Sequence, residues 1–87
     1  MKASSFPSEE LAERLIARAL HQNADRISAW RGSGAKSKLE LESTFGQPIG
    51  TTVDRWGNVT EAMSVRVVLI PNDKMKDGWQ ILTAFPV

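Results

Sequence analysis

Few side chains in this sequence invite chemistry, and they are spread along its length. His21 is the single histidine, and an imidazole can exchange a proton near neutral pH. It also falls near the end of an apparent helix, where a partly cationic ring suits the backbone dipole, and that structural role is the preferred reading. Thr83 places a hydroxyl in the last apolar run. Strict alternation there sets Trp79, Ile81, Thr83 and Phe85 on one face and Gln80, Leu82 and Ala84 on the other. On pattern alone, Thr83 reads as a β-favoured residue bonded within a sheet. Arg66 is a charge inside an otherwise apolar strand, sharing a face with Val68 and Ile70. Its fork of donors could grip a phosphate, or simply reach water at a strand end.

Three tryptophans could stack on nucleobases. Trp30 continues an apolar helical stripe, so core packing is the better reading. Trp79 opens the last strand and suits either role. Trp56 sits beside Arg55 in turn-like sequence and is the best candidate for an exposed contact, with local packing as the alternative. Gly32-Ser33-Gly34 follows a helix rather than a strand, so it reads as a helix stop and not a dinucleotide fingerprint. Asp73 and Asp77 do not match a calcium loop, and one histidine without cysteine argues against a zinc site.

The elements that must position these residues follow from periodicity. Residues Met1 to Pro7 read as a lead-in. Ser8 is a candidate N-cap, with Glu9 and Glu10 in the first turn. Leu11, Ala12, Leu15, Ile16, Ala19 and Leu20 then recur at helical spacing. Asn23 marks a break, and a second short helix carries Ala24, Ile27 and Trp30 before the glycines stop it. The period then changes. Leu39 and Leu41 alternate with charged residues as a half-buried strand. Residues Phe45 to Pro48 are turn chemistry, Ile49 to Val53 a short strand, and Arg55 to Asn58 a turn. Ser64 to Ile70 is the clearest strand, and Trp79 to Phe85 the last, closed by Pro86. Helices followed by closely spaced strands predict an α+β domain with an antiparallel sheet, because the links are too short for crossover helices.

Composition sets the limits. At 87 residues the chain is one small domain, and 41% hydrophobic with 24% charged residues suits a globular fold. No cysteine is present, so disulfides and thiolate metal sites are excluded. No apolar run approaches a membrane span and no signal-peptide pattern opens the chain, so export would depend on something outside these residues. A net charge of +1 implies no nucleic-acid partner by itself. Seven of the eleven Lys and Arg residues precede Glu40 and six of the ten acidic residues lie from Glu40 onward, a distribution that ordinary solvated faces explain.

Taken together, several segments resemble the ribonuclease-A-like toxin domain at the C-termini of bacterial CdiA proteins and related polymorphic toxins. They are Ala3-Ser4-Ser5-Phe6, the helix with Ala12-Glu13, Ile16, Ala19-Leu20 and Asn23, then Ile27 and Trp30 and a Gly/Ser loop. Pro48-Ile49-Gly50, Val65-Arg66-Val67-Val68-Leu69 and Ile81-Leu82-Thr83-Ala84-Phe85-Pro86 complete the match, in order and almost end to end.

The resemblance implies helices packed on an antiparallel, curved sheet without disulfides. It also implies a cofactor-free, metal-independent endoribonuclease acting on transfer RNA. Such a domain is exported at the end of a larger surface or secreted protein, works in the target-cell cytoplasm without inserting in the membrane, and is neutralised by a cognate immunity protein.

By the same resemblance, Thr83 matches a catalytic threonine and Phe85 a position often held by tyrosine. Arg66, Arg55 and Trp56 stay, on residue type and position, the candidates for holding phosphate or RNA. The family's histidine-bearing segment would precede Ala3. Residues 1–87 are therefore expected to be the C-terminal portion of a nuclease module, weak or inactive alone. The competing readings are a non-catalytic interaction module on the same scaffold, which predicts a covered Thr83 face without a nearby cation, and a small RNA-binding domain, which needs Trp56 and Trp79 exposed on one basic surface.

Overall fold

The Oγ of Ser8 accepts a hydrogen bond from the Leu11 amide at 3.1 Å and so starts the first helix, α1 (Glu9–Gln22). Ser8 itself stays extended, and Glu9 and Glu10 occupy the first turn, where negative charge is favourable. The computed structural model describes residues 3–87, with side chains from Phe6 onward. Helix α1 buries Leu15 and Ala19, with Leu11, Ile16 and Leu20 packed beside them. Asn23 ends it. Its backbone N–H donates to the Ala19 and Leu20 carbonyls, and its carbonyl accepts from Ile27 as the second helix, α2 (Ala24–Gly32), begins. Its side chain does a second job: Nδ2 donates to the Ala19 carbonyl at 2.8 Å and to Ser43 Oγ at 3.0 Å. The end of α1 is thereby tied to a strand twenty residues on. Helix α2 buries Ile27 and Trp30, and the Trp30 indole N–H finds the Ser37 carbonyl at 3.0 Å.

Six strands follow the expected positions with two additions. They are β1 (Ala3–Ser5), β2 (Leu39–Thr44), β3 (Gly50–Val53), β4 (Val59–Ala62), β5 (Ser64–Pro71) and β6 (Trp79–Pro86). All pairings are antiparallel, and the short connections require this of the consecutive pairs β3–β4 and β5–β6. The lead-in is in fact strand β1, and β4 had no strand signal of its own. Neither Ala3-Ser4-Ser5 nor Val59-Thr60-Glu61-Ala62 carries an apolar alternation, and both exist because β3 offers them an edge on each side.

The strands form two sheets of three rather than one, in the orders β1-β3-β4 and β2-β5-β6. Strands β4 and β5 are nearly continuous and are broken only at Met63, where the chain passes from one sheet to the other. Because β5 has β2 and β6 on its two edges, the β3–β4 hairpin has no place beside it and pairs with β1 instead.

Helix α1 packs on β2 and β5. Between them lie Leu41, Val65, Val67 and Leu69, all fully buried and all on one face of the sheet. Among the described residues, no helix is long and apolar enough to cross a membrane.

Candidate active-site face

Strand β6 does not keep strict alternation. Val67 pairs with Ala84 and Val68 with Thr83, yet Leu69 pairs with Ile81, so Leu82 is an extra residue in a β-bulge. A one-residue slip sends every later side chain to the opposite face. Trp79 and Ile81, ahead of the bulge, face with Leu69, while Ala84 and Pro86, beyond it, face with Val67 and Val65. The expected row of Trp79, Ile81, Thr83 and Phe85 is therefore split. Thr83 and Phe85 are turned away from the helices, to the side that Arg66 and Val68 occupy.

The register across β2, β5 and β6 places two rows on that outer face. One row is Glu42, Arg66 and Phe85; the next is Glu40, Val68 and Thr83. Arg66 Nη2 donates to Glu42 Oε1 at 3.0 Å, and its guanidinium carbon lies 6.0 Å from the centre of the Phe85 ring. Thr83 is exposed, and it is the diagonal neighbour of Arg66. Diagonal neighbours in an antiparallel pair stand roughly 7–8 Å apart, within reach of an arginine side chain. Val68 lies between them, 5% exposed, although it is not part of the core beneath the helices. Strand β6 also lies against β1 and β3, so the Thr83-bearing strand is where the two sheets approach. The result is a hydroxyl, a guanidinium and an aromatic ring together on an accessible surface. That set can hydrogen-bond and charge-stabilise a phosphate while stacking on a base.

The other candidates are placed elsewhere. His21 is exposed in the last turn of α1, on the helical side of the sheet, away from Thr83. Trp30 is buried, and Trp79 is partly buried against the core. Trp79 thus cannot share an exposed basic surface with Trp56, as the RNA-binding-domain reading needs. Arg55 and Trp56 form the tip of the β3–β4 hairpin, with the Arg55 guanidinium 4.2 Å from the Trp56 ring centre and Trp56 71% exposed. Glu42 escaped the sequence reading. Its alternation with Leu41 marked it as outward-facing, but its partner is fixed only by the pairing of β2 with β5. Among the described residues, no group of three His, Cys, Asp or Glu side chains is arranged to hold a metal.

No curated protein gives a significant match to this sequence. Among solved structures, the crystal structure of a CdiA-CT/CdiI complex from Y. kristensenii contains a similar chain. The likeness has a TM-score of 0.93 at 29% identity and covers 99% of this chain and 77% of that one. The model of the family described as the bacterial CdiA-CT RNAse A domain matches residues 1–86, and this chain therefore belongs to that family of ribonuclease-type toxin domains.

Proposed function

We propose that this domain cleaves RNA, with transfer RNA as its substrate, and that the Thr83 face is where cleavage takes place. The observation that carries this reading is the β6 bulge, which moves Thr83 and Phe85 off the buried side and next to Arg66. In such cleavage the ribose 2′-oxygen attacks the adjacent phosphorus, its proton passes to a base, and the 5′-oxygen leaves with a proton from an acid. Charge builds on the non-bridging phosphate oxygens, where a fixed donor and a cation act most strongly. Thr83 supplies the hydroxyl donor. Arg66 supplies the cation, already oriented by Glu42 and Phe85. Phe85 offers a ring against which a base can stack, but no hydroxyl. No step requires a metal or cofactor.

Among the described residues, no imidazole stands on this face, since His21 lies on the other side of the sheet. The 87-residue chain is therefore expected to bind RNA and to cut it slowly. Incubating the purified chain with transfer RNA and mapping the ends of any products tests this. The expected result is slow cleavage that disappears in Thr83→Ala. Fast cleavage would overturn the expectation of a slow chain, and cleavage indifferent to that substitution would sink the assignment of Thr83.

The interaction-module reading retains two supporting observations, the lack of an imidazole on this face among the described residues and of a hydroxyl at Phe85, but an exposed Thr83 beside a cation is the opposite of what it predicts. Membership of the CdiA family supports delivery at the end of a secreted protein and action in the target-cell cytoplasm. The CdiA-CT/CdiI assembly of the similar chain supports a cognate immunity protein as partner. Co-expression with the product of the neighbouring reading frame, followed by co-purification, tests the latter; failure of the two to associate would remove it.

A further inference from the structure

We propose that the tip of the β3–β4 hairpin is a second RNA-binding site, in which Trp56 stacks on an unpaired nucleobase and Arg55 meets the neighbouring phosphate. The proposal rests on the ribonuclease reading of the Thr83 face.

The tip is built to hold one shape. The Asp54 carboxylate accepts from the Trp56 amide at 2.9 Å, the Asn58 amide at 2.9 Å and Asn58 Nδ2 at 3.0 Å. The backbone closes around it, with Asp54 N–H donating to the Asn58 carbonyl and Gly57 N–H to the Asp54 carbonyl. Gly57 takes φ of +82°, a conformation that an L side chain rarely adopts, so glycine is needed for the turn.

This hydrogen-bonded loop presents a large aromatic ring to water, outside the hydrophobic core. Trp56 is the most exposed of the large hydrophobic residues and packs in no core cluster. Arg55 lies over the ring at 4.2 Å, adding positive charge beside the stacking surface. An aromatic ring with an attached cation matches the two parts of a nucleotide, a flat base and an anionic phosphate. Preformed geometry lowers the ordering cost of binding.

The position also suits the substrate. Strand β3, one arm of the hairpin, lies against β6, which bears Thr83. The Val53–Val59 pair is three residues beyond the Gly50–Ala62 pair, so the tip projects roughly 10 Å past the junction of the sheets. A strand of RNA held at the tip is anchored away from the bond to be broken. Trp56 thus contributes to binding and not to the chemical step.

Binding to a short 2′-O-methyl oligouridine tests the site, because blocking the 2′-oxygen prevents cleavage. Trp30 and Trp79 are packed, so quenching by the ligand reports on Trp56. The native chain should bind at low salt with quenched emission. Trp56→Ala should bind about tenfold more weakly and lose the quench, and Trp56→Phe should keep most of the affinity. Arg66→Ala should weaken binding while keeping the quench.

Unchanged affinity in Trp56→Ala with weakened binding in Arg66→Ala would overturn the tip site and leave the ribonuclease reading intact. No binding by the native chain at low salt would overturn both. Equal affinity for a fully paired duplex would overturn stacking on an unpaired base. A dimer of the native chain that is lost in Trp56→Ala would reassign the tip to contact with a second copy. Thermal melting of each variant separates loss of binding from loss of fold.

Discussion

Arg66 on β5 donates to Glu42 on β2 across the outer face of the sheet, at 3.0 Å and directly opposite in register. The pair is half exposed on both sides, so its worth to folding is small, about 0–1 kcal/mol. Its consequence for RNA is larger. Glu42 holds the guanidinium with its carbon 6.0 Å from the Phe85 ring centre, and it also competes with any phosphate for the same donors. Glu42→Gln is therefore expected to tighten RNA binding, and Arg66→Ala to weaken it and to reduce the salt dependence by about one phosphate contact. Titrations at several salt concentrations measure both. Weaker binding in Glu42→Gln would mean that Glu42 serves mainly to position Arg66.

The bulge at Leu82 makes a sharp claim about neighbouring residues. Thr83 should face solvent and Ala84 the core side, one residue apart. The chain has no cysteine, so single-cysteine variants give an unambiguous reading. Thr83→Cys should react with a thiol reagent nearly as fast as a free thiol, and Ala84→Cys much more slowly. Faster reaction at Ala84→Cys than at Thr83→Cys would show that β6 keeps plain alternation in solution, with Thr83 on the face of Trp79 and Ile81.

The Asn23 side-chain amide joins α1 to β2, while its backbone carbonyl accepts from Ile27 in α2. Asn23→Ala removes the donor to Ser43, whose side chain is buried. A buried hydroxyl left without its partner costs about 1–3 kcal/mol. A lowered urea midpoint with an unchanged slope is the expected result. No shift in midpoint would mean that water replaces the amide at no cost.

Leu69 is fully buried at the centre of the core. Leu69→Ala should lose about 2–5 kcal/mol, a large part of the total stability of a domain this small. Chemical unfolding measures the loss. A drop below about 1 kcal/mol would mean that the helices settle into the space left behind.

Much of this molecule can be read from residue order alone. The Ser8 cap, the break at Asn23, the stripe of Leu15 and Ala19, and the β-branched run from Ser64 to Ile70 all depend on neighbours within a few positions. So do the α+β class and the antiparallel pairing of β3 with β4 and β5 with β6, which short connections force. Strands β1 and β4 were not legible. They carry no apolar rhythm, and only the edges of β3 make them strands.

The candidate site divides along the same line. Sequence supplied the residue types: the threonine, the arginine, the exposed Arg55–Trp56 pair and, through resemblance, a reason to connect them with RNA. Tertiary structure decided which of them meet. A single extra residue at Leu82 reversed the direction of Thr83 and Phe85, and the register of β2 against β5 brought Glu42 to Arg66. Alternation describes the direction of a side chain only while each residue has one partner across the ladder. Where two residues oppose one, the facing changes, and nothing local in the residue types marks the place.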